Sequence, residues 1–243
     1  MPGKVIYGRH MANGIRVVSV VDAIAENLRD AIVDGTLTPG TALTETDVAG
    51  RYDVARPTAK AAIEKLVADM ILERGNHKTA RVRTFGVDDV RDIYRTRALI
   101  ESEVLRQLAL AKLVPAGAKE ANDRIRVVDG AAVAVVKPDM EFHAALINGL
   151  GSDRTSRLYK SLTAEVTLCM AQVQGHHLLD TELIVAEHDG ILRHLAEGDG
   201  AGAAELLHVH LSRARERLVA SLGGAPGPEA DAPVTVRIPL DRD

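Results

Sequence analysis

The chain has 243 residues, enough for one or two domains, and a formal net charge of −4 at pH 7, so it is not a wholly basic nucleic-acid binder. Aromatic residues make up only 2 % of the chain, which disfavours single-stranded nucleic-acid binding because that mode stacks bases on aromatic faces. The single cysteine, Cys169, excludes an internal disulfide, and the absence of a long apolar run predicts a cytoplasmic protein without a membrane partner.

The chain is expected to begin with a flexible arm over residues 1–16. A first helix then starts at Ser19, which with Asp22 resembles a capping box. Apolar residues recur at helical spacing along this segment and predict one buried face. They are Val21, Ile24, Ala25, Leu28 and Ile32.

Two further helices and a small sheet are predicted next. After the turn at Pro39-Gly40, a second helix begins at Thr44 and a third covers residues 56–69. Residues 71–83 predict two short strands around a polar turn, which together form a wing. We therefore predict a winged helix-turn-helix domain over residues 17–84, a fold that places its third helix in the DNA major groove.

The third helix concentrates polar side chains in its first turns. Arg56, Thr58 and Lys60 lie there, while Ile63 and Leu66 are expected to face inward. Residues 51–83 carry eight Lys or Arg against four Asp or Glu, so this region is locally basic. The pattern predicts base and phosphate contacts at the start of the helix, with Lys78 on the wing adding a contact. The alternative is an ordinary solvated helix of a bundle.

The rest of the chain is predicted to be an all-α antiparallel bundle. Short breaks divide residues 85–221 into about six helices. The expected breaks are Pro115-Ala-Gly117, Asp129-Gly130, Lys137-Pro138, Gly149-Leu-Gly151, Gly175 and Gly198-Asp-Gly200. Residues 222–243 are expected to form a flexible tail. The fold class is therefore mainly α, with a winged helix-turn-helix domain followed by a helical bundle.

Three histidines of the bundle are predicted to face its core. Asp139 and His143 are four residues apart and share one helix face. His188 lies ten residues before Gly198, and His210 lies ten residues after Gly200. In an antiparallel pair of helices, these equal spacings place both histidines at the same distance from the turn, about 15 Å.

The other two histidines of these helices, His194 and His208, fall on polar faces. Each inward histidine taken singly is more simply explained as a core residue with a hydrogen-bond partner. Their joint placement with a carboxylate favours a site for Zn²⁺ or a similar divalent metal, with Ni²⁺ or Mn²⁺ as alternatives.

Arg97 lies on an apolar stripe of the first helix of the bundle. A guanidinium in such a place needs an anion. A carboxylate of a bound effector would serve, and so would an internal pair with Glu101 or Asp139. The sequence leaves these possibilities open.

The N-terminal part resembles the winged helix-turn-helix domain of GntR-type bacterial transcription regulators. The matching residues are Arg29-Asp-Ala-Ile32, Gly35, Leu37-Thr-Pro-Gly40, Leu43-Thr-Glu45, Val48-Ala49, Val54-Ala-Arg56-Pro-Thr58, Lys60-Ala-Ala-Ile63 and Leu66. This resemblance implies DNA binding, and we assign DNA contacts to Thr44, Arg56, Thr58, Lys60 and Lys78.

Residues 87–221 resemble the all-helical FCD effector domain of one GntR subgroup. The matching residues are Asp88-Asp-Val-Arg-Asp-Ile-Tyr-Arg-Thr-Arg97 with Glu101, Asp139-Met-Glu-Phe-His143, Glu187-His188, Gly198-Asp199 and His210-Leu211. The resemblance implies a divalent metal beneath a pocket for a small carboxylate. Its ligands are then Asp139, His143, His188 and His210, and Arg97 is assigned to the effector.

The sequence therefore predicts a homodimeric, effector-responsive regulator that binds a palindromic operator on double-stranded DNA. Two other functions remain open. A metal-dependent enzyme acting on a small carboxylate is one, although no His-Glu-x-x-His motif is present. A purely structural metal in a dimerisation domain is the other.

Overall fold

The computed structural model describes residues 19–74, 79–128, 133–173, 180–225 and 227. Within these ranges the chain forms helices and one small sheet, in an order that matches the predicted mainly α class. The elements are α1 Val20–Val33, β1 Ala42–Leu43, α2 Glu45–Tyr52, α3 Arg56–Ala68, β2 Leu72–Arg74, β3 Ala80–Val82, α4 Val87–Leu110, α5 Ala116–Arg126, α6 Val133–Gly149, α7 Asp153–Gln172, α8 Thr181–Glu197 and α9 Gly200–Ser221. The predicted arm and nearly all of the predicted tail lie outside the described residues.

The helix starts of the N-terminal part follow from their caps. Ser19 caps α1 by accepting a hydrogen bond from the Asp22 N–H at 3.0 Å, and Thr44 caps α2 by accepting one from the Asp47 N–H at 3.1 Å. α3 begins after Ala55, which provides no side-chain cap. The predicted buried face of α1 is confirmed at four positions, and Val21 is partly buried.

The wing is an antiparallel sheet in the order β1-β3-β2. Leu43 pairs with Ala80, and Leu72 pairs with Val82. These apolar residues face the core beneath the sheet. Both predicted strands are confirmed, and the turn predicted between them, at residues 75–78, lies outside the described part of the chain.

The C-terminal part consists of six described helices, α4 to α9, of which α4 contacts α6, α7, α8 and α9. α8 and α9 form an antiparallel pair joined at Gly198, whose φ of 86° is a left-handed conformation that favours glycine. A Cβ on Gly200 would lie 2.9 Å from the Cα of Arg106, so glycine lets α9 start close against α4. None of the helices described is both long and apolar enough to cross a membrane.

One predicted helix break is wrong. Pro138 lies inside α6, which runs from Val133 to Gly149 without ending at Lys137-Pro138. Proline normally ends a helix because it lacks the N–H and crowds the preceding turn. Here Val136 on one side and Met140 on the other are both in the hydrophobic core, so tertiary packing outweighs the local cost. The breaks expected at residues 129–130 and 175 lie outside the described residues.

The segment that links the two parts is held against α7. The Gln172 side chain accepts a hydrogen bond from the Phe85 N–H at 2.9 Å and donates one to the Phe85 carbonyl at 2.8 Å. Arg83 pairs with Glu165 at 2.8 Å, and both side chains are mostly buried.

Cys169 also lies on α7, where it is a buried free thiol, in agreement with its predicted apolar environment.

Candidate functional site

Asp139, His143, His188 and His210 come together in the interior of the helical bundle. Two of them lie on α6, one on α8 and one on α9, and one potential ligand atom from each falls within 4.8 Å of all the others. The closest pairs are His143 Nε2 to His210 Nε2 at 3.2 Å and His188 Nε2 to Asp139 Oδ1 at 3.5 Å. The predicted convergence of these four residues is confirmed.

Each histidine of the cluster is oriented through its other ring nitrogen. Nδ1 of His143 lies 2.6 Å from a carboxylate oxygen of Glu101, and Nδ1 of His210 lies 2.9 Å from one of Glu187. Ionised carboxylates only accept hydrogen bonds, so both imidazoles must donate from Nδ1. Both therefore keep a lone pair on Nε2, which points to the centre of the cluster.

His188 is oriented in the same way by an amide. Its Nδ1 lies 3.1 Å from Oδ1 of Asn122, whose Nδ2 donates to Asp189 at 2.8 Å. The donation fixes which end of the amide faces the histidine, so His188 also donates from Nδ1. Phe142 stacks on the His188 ring with centroids 3.6 Å apart and holds its plane.

The protonation states suit metal binding. Burial lowers the pKa of His143, although the Glu101 carboxylate opposes this shift. Burial also lowers the pKa of His188 well below its ordinary value, and the neighbouring His210 and His143 add to the effect. Both imidazoles are therefore neutral near pH 7, which is the form that binds metals.

The cluster fits a single divalent ion. Bonds of about 2.0–2.2 Å to a tetrahedral ion place its ligand atoms about 3.3–3.6 Å apart. The two closest pairs have nearly this separation, whereas Asp139 Oδ1 lies 3.9 Å from His210 Nε2 and 4.0 Å from His143 Nε2. His188 Nε2 and Asp139 Oδ1 are buried without a hydrogen-bond partner among the described residues. Buried polar atoms rarely stay unpaired, and an ion between them would satisfy both. Binding of the ion itself stays a prediction.

Arg97 is buried beside the cluster and pairs internally through one side of its guanidinium. Its Nε donates to Glu101 at 2.8 Å, and Tyr159 donates to the same carboxylate at 2.6 Å. Burial alone would raise the pKa of Glu101, but the charge of Arg97 and the neighbouring His143 hold that pKa below its ordinary value. The expected internal pair of Arg97 with Glu101 is confirmed, and it uses only the Nε atom of the guanidinium.

Arg97 also lines a cavity. Its Nη2 is buried without a partner among the described residues. Arg97, Asp139, Glu187 and His210 all line this cavity, which has a volume of about 30 Å³. The structure thus places Arg97 and two of the four candidate metal ligands, Asp139 and His210, on one internal space.

Glu101, Asn122 and Glu187 have roles that sequence reasoning missed. The sequence pattern indicates Glu101 only as a possible partner of Arg97, and it indicates no role for Asn122. Glu187 adjoins His188 in sequence but serves His210, which is 23 residues away. Of the two histidines on predicted polar faces, His194 keeps 26 % of its side-chain surface exposed, whereas Nε2 of His208 is buried without a hydrogen-bond partner among the described residues.

The candidate DNA-contacting side chains lie at the start of α3 and beside it. Arg56 and Lys60 are exposed and Thr58 is partly buried. Arg56 donates to Thr46 at 2.8 Å, which joins α3 to the start of α2. The Thr44 hydroxyl is engaged by Asp47 in the α2 cap. Lys78 lies outside the described residues, and all five DNA contacts stay predictions.

Comparison with protein families identifies both parts of the chain. Residues 20–82 match the model of bacterial regulatory proteins of the gntR family, and residues 92–213 match the model of the FCD domain. The chain is 26 % identical over 205 residues to the HTH-type transcriptional regulator BphR of Paraburkholderia xenovorans (strain LB400), covering 80 % of this chain and 83 % of BphR.

Solved structures agree with this relationship. A crystal structure described as a transcriptional regulator GntR from Rhodococcus sp. RHA1 superposes with a TM-score of 0.71 at 27 % identity, over 84 % of this chain and 99 % of that one. McbR/YncC of E. coli has the same fold, with a TM-score of 0.62 at 16 % identity over 85 % and 98 % of the two chains. The chain therefore belongs to the GntR family of bacterial regulatory proteins, with an FCD domain after its winged helix-turn-helix, and it is a DNA-binding transcriptional regulator and not an enzyme.

Proposed function

We propose that the protein is a homodimeric regulator whose affinity for a palindromic operator depends on a small carboxylate bound beside a metal ion. The observation that carries this proposal is that Arg97, whose Nη2 is unpaired among the described residues, lines one internal cavity together with Asp139 and His210 of the candidate metal cluster. A metal that only stabilised the fold would need neither the cavity nor the unpaired guanidinium.

The proposed effector site includes the metal site, which forms its base. Zn²⁺ suits three imidazoles and one carboxylate, and Ni²⁺ or Mn²⁺ are the alternatives. Such an ion can accept a further oxygen ligand, and the effector carboxylate would provide it while also binding Arg97. A ligand shifts only equilibria between states that it binds differently, so its effect on DNA requires two arrangements of the chain.

The DNA site is proposed at the start of α3. Arg56 is assigned to base edges because its guanidinium matches guanine bidentately, while Thr58 and Lys60 are assigned to neighbouring contacts. Thr44 at the start of α2 is assigned to the phosphate backbone, and so is Lys78, which the sequence places between β2 and β3. Two copies related by a two-fold axis would recognise two half-sites, which is why the operator is proposed to be a palindrome.

Each proposed task belongs to one part of the sequence. We assign residues 17–84 to DNA binding and residues 85–221 to the metal, the effector and dimerisation. Because the proposed partner is chromosomal DNA, we place its action in the cytoplasm.

A binding assay on DNA from upstream of its own gene tests this function. The full-length protein should bind selected duplexes over shuffled ones, with an affinity that falls as salt rises. Inserting about five base pairs between the half-sites should abolish high-affinity binding, because it turns one half-site to the opposite face of the helix. Binding that ignores both sequence and insertion would contradict the proposal.

A further inference from the structure

We infer that two copies of this chain pair through the outward face of α4, with the two α4 helices antiparallel and Leu99 on the two-fold axis. This inference rests on the proposed homodimer and adds the surface and the register of its contact. It follows from the exposure of this face and from the order of the charges along it.

The outward face of α4 is a continuous exposed stripe. Its residues recur at intervals of three or four, so they lie above one another on one side of the helix. This α4 stripe consists of Asp88, Asp92, Arg95, Leu99, Glu103, Arg106 and Leu110, all of which are exposed. The inner side of the same helix is buried and carries Arg97 and Glu101. One helix therefore separates the candidate metal and effector site from this surface.

Leu99 lies at the centre of the α4 stripe, and its exposed fraction is 51 %. A single exposed leucine is ordinary, but here the charged residues around it have a symmetric order. Arg95 lies four residues before Leu99, and Glu103 lies four residues after it. Asp92 lies seven residues before it, and Arg106 lies seven residues after it. Each pair thus combines an anion and a cation at equal distances from Leu99.

A two-fold axis through Leu99 brings these opposite charges together. In an antiparallel pair of helices, a residue before the axis meets the residue that lies equally far after the axis on the other copy. Arg95 would face Glu103 of the second copy about 6 Å from the axis, and each such pair occurs twice. Asp92 would face Arg106 of the second copy about 10 Å from the axis. A parallel pair would instead oppose each charge to its own copy, which is repulsive.

The charges of the α4 stripe are accessible for such contacts. The side chains of Asp92 and Arg95 have no ion pair or hydrogen bond among the residues that the structure describes. Glu103 accepts a hydrogen bond from Gln107 at 3.0 Å and lies 3.8 Å from Arg106, in exposed contacts within α4. Exposed contacts of this kind are weak, so pairing with a second copy can replace them. The charges would fix the register and direction of the dimer more than its strength.

Cross-linking at single introduced cysteines tests the register. Packed helices have axes about 8–10 Å apart, so Leu99→Cys in the full-length protein should be joined to its own copy by a short bismaleimide. Leu110→Cys is the matched control on the same stripe, because its thiol would lie about 33 Å from its copy. It should give no cross-linked dimer beyond that of the unsubstituted protein, in which Cys169 is buried.

Charge exchange tests the pairing itself. Arg95→Glu opposes two carboxylates in both copies of the pair, so it should raise the Kd of the dimer at least about tenfold in sedimentation equilibrium. Adding Glu103→Arg restores opposite charges across the axis and should return the Kd to within about threefold of its original value. Arg154→Glu is the matched control, because Arg154 is exposed on α7, and it should leave the Kd unchanged.

The outcomes separate the α4 contact from the homodimer on which it rests. A dimer that is not cross-linked at Leu99→Cys, is unaffected by Arg95→Glu or is not rescued by the added Glu103→Arg would overturn this contact and leave the homodimer intact. A protein that stays monomeric at every concentration tested would overturn both.

Discussion

Arg56 and Lys60 lie one turn apart on the exposed side of α3, yet their chemistry assigns them different tasks. A guanidinium presents paired donors in a fixed plane, whereas an ammonium acts as a point charge. Both lie on the surface, so neither substitution should disturb the fold.

We expect Arg56→Ala to reduce discrimination between the operator and a shuffled duplex, by about 1–3 kcal/mol for a bidentate base contact. Lys60→Ala should instead weaken all duplexes similarly and lower the salt dependence by about one unit of slope. Fluorescence anisotropy at several salt concentrations measures both quantities. Equal loss of discrimination in both variants would show that the roles are wrongly assigned.

A second single residue, Asn122, orients the ring of His188. Removing the amide leaves the ring free to turn its Nε2 away from the ion. We therefore expect Asn122→Leu, which keeps the volume, to lower metal affinity by about 10- to 100-fold, with a greater loss in His188→Ala. Competition with a chromophoric chelator gives the affinities. His194→Ala is the control, because His194 lies outside the cluster, and an unchanged affinity in Asn122→Leu would contradict the orienting role.

α7 is the element that connects the cavity with the DNA-binding part. Val166 and Met170 line the cavity, while Glu165 and Gln172 of the same helix hold Arg83 and Phe85. A ligand that moves the cavity wall therefore acts on a helix that also positions the linker. This gives a physical path for coupling, which requires an element with two arrangements.

We expect Gln172→Leu to loosen the linker, because the Phe85 N–H and carbonyl both lose their partners. Each loss costs about 1–3 kcal/mol, so amide exchange at Phe85 should accelerate at least about tenfold in hydrogen-exchange mass spectrometry. Gln107→Leu is the matched control, since its bond to Glu103 is exposed and lies within α4. Exchange at Phe85 that is equal in both variants would show that the Gln172 contact does not hold the linker.

At the scale of the whole molecule, the candidate metal centre joins five helices. Its ligands lie on α6, α8 and α9, and the partners of their Nδ1 atoms lie on α4, α5 and α8. Without an ion, unpaired buried nitrogen and oxygen atoms face each other in the interior. Binding of an ion should therefore stabilise the folded bundle as a unit.

We expect chelation to lower the melting temperature. An ion at about 100 times its Kd stabilises the folded state by about 2.7 kcal/mol, which for a chain of this size corresponds to roughly 5–10 °C. Differential scanning calorimetry with and without chelator measures the shift. The shift in melting temperature should remain in His194→Ala and disappear in His188→Ala. A chelator effect that persists in His188→Ala would mean that the metal binds elsewhere.

Much of the fold and part of the site follow from local patterns in the sequence. The spacing of Asp139 and His143 places them on one face because a helix repeats every 3.6 residues. The equal distances of His188 and His210 from the Gly198–Gly200 turn place them at one height for the same reason. The caps at Ser19 and Thr44 are equally local, since each side chain serves a backbone N–H three residues away.

Only the tertiary structure decided the rest, because it depends on contacts between segments far apart in the chain. Glu101 reaches His143 across 42 positions, and Asn122 reaches His188 across 66. Local rules predicted a break at Pro138, but burial of its neighbours in the shared core keeps α6 continuous. The sequence by itself thus determined which residues face inward. Packing determined which partners orient them, which side of Arg97 remains unpaired, and which walls surround the cavity, because no local period encodes the contacts that one helix makes with another.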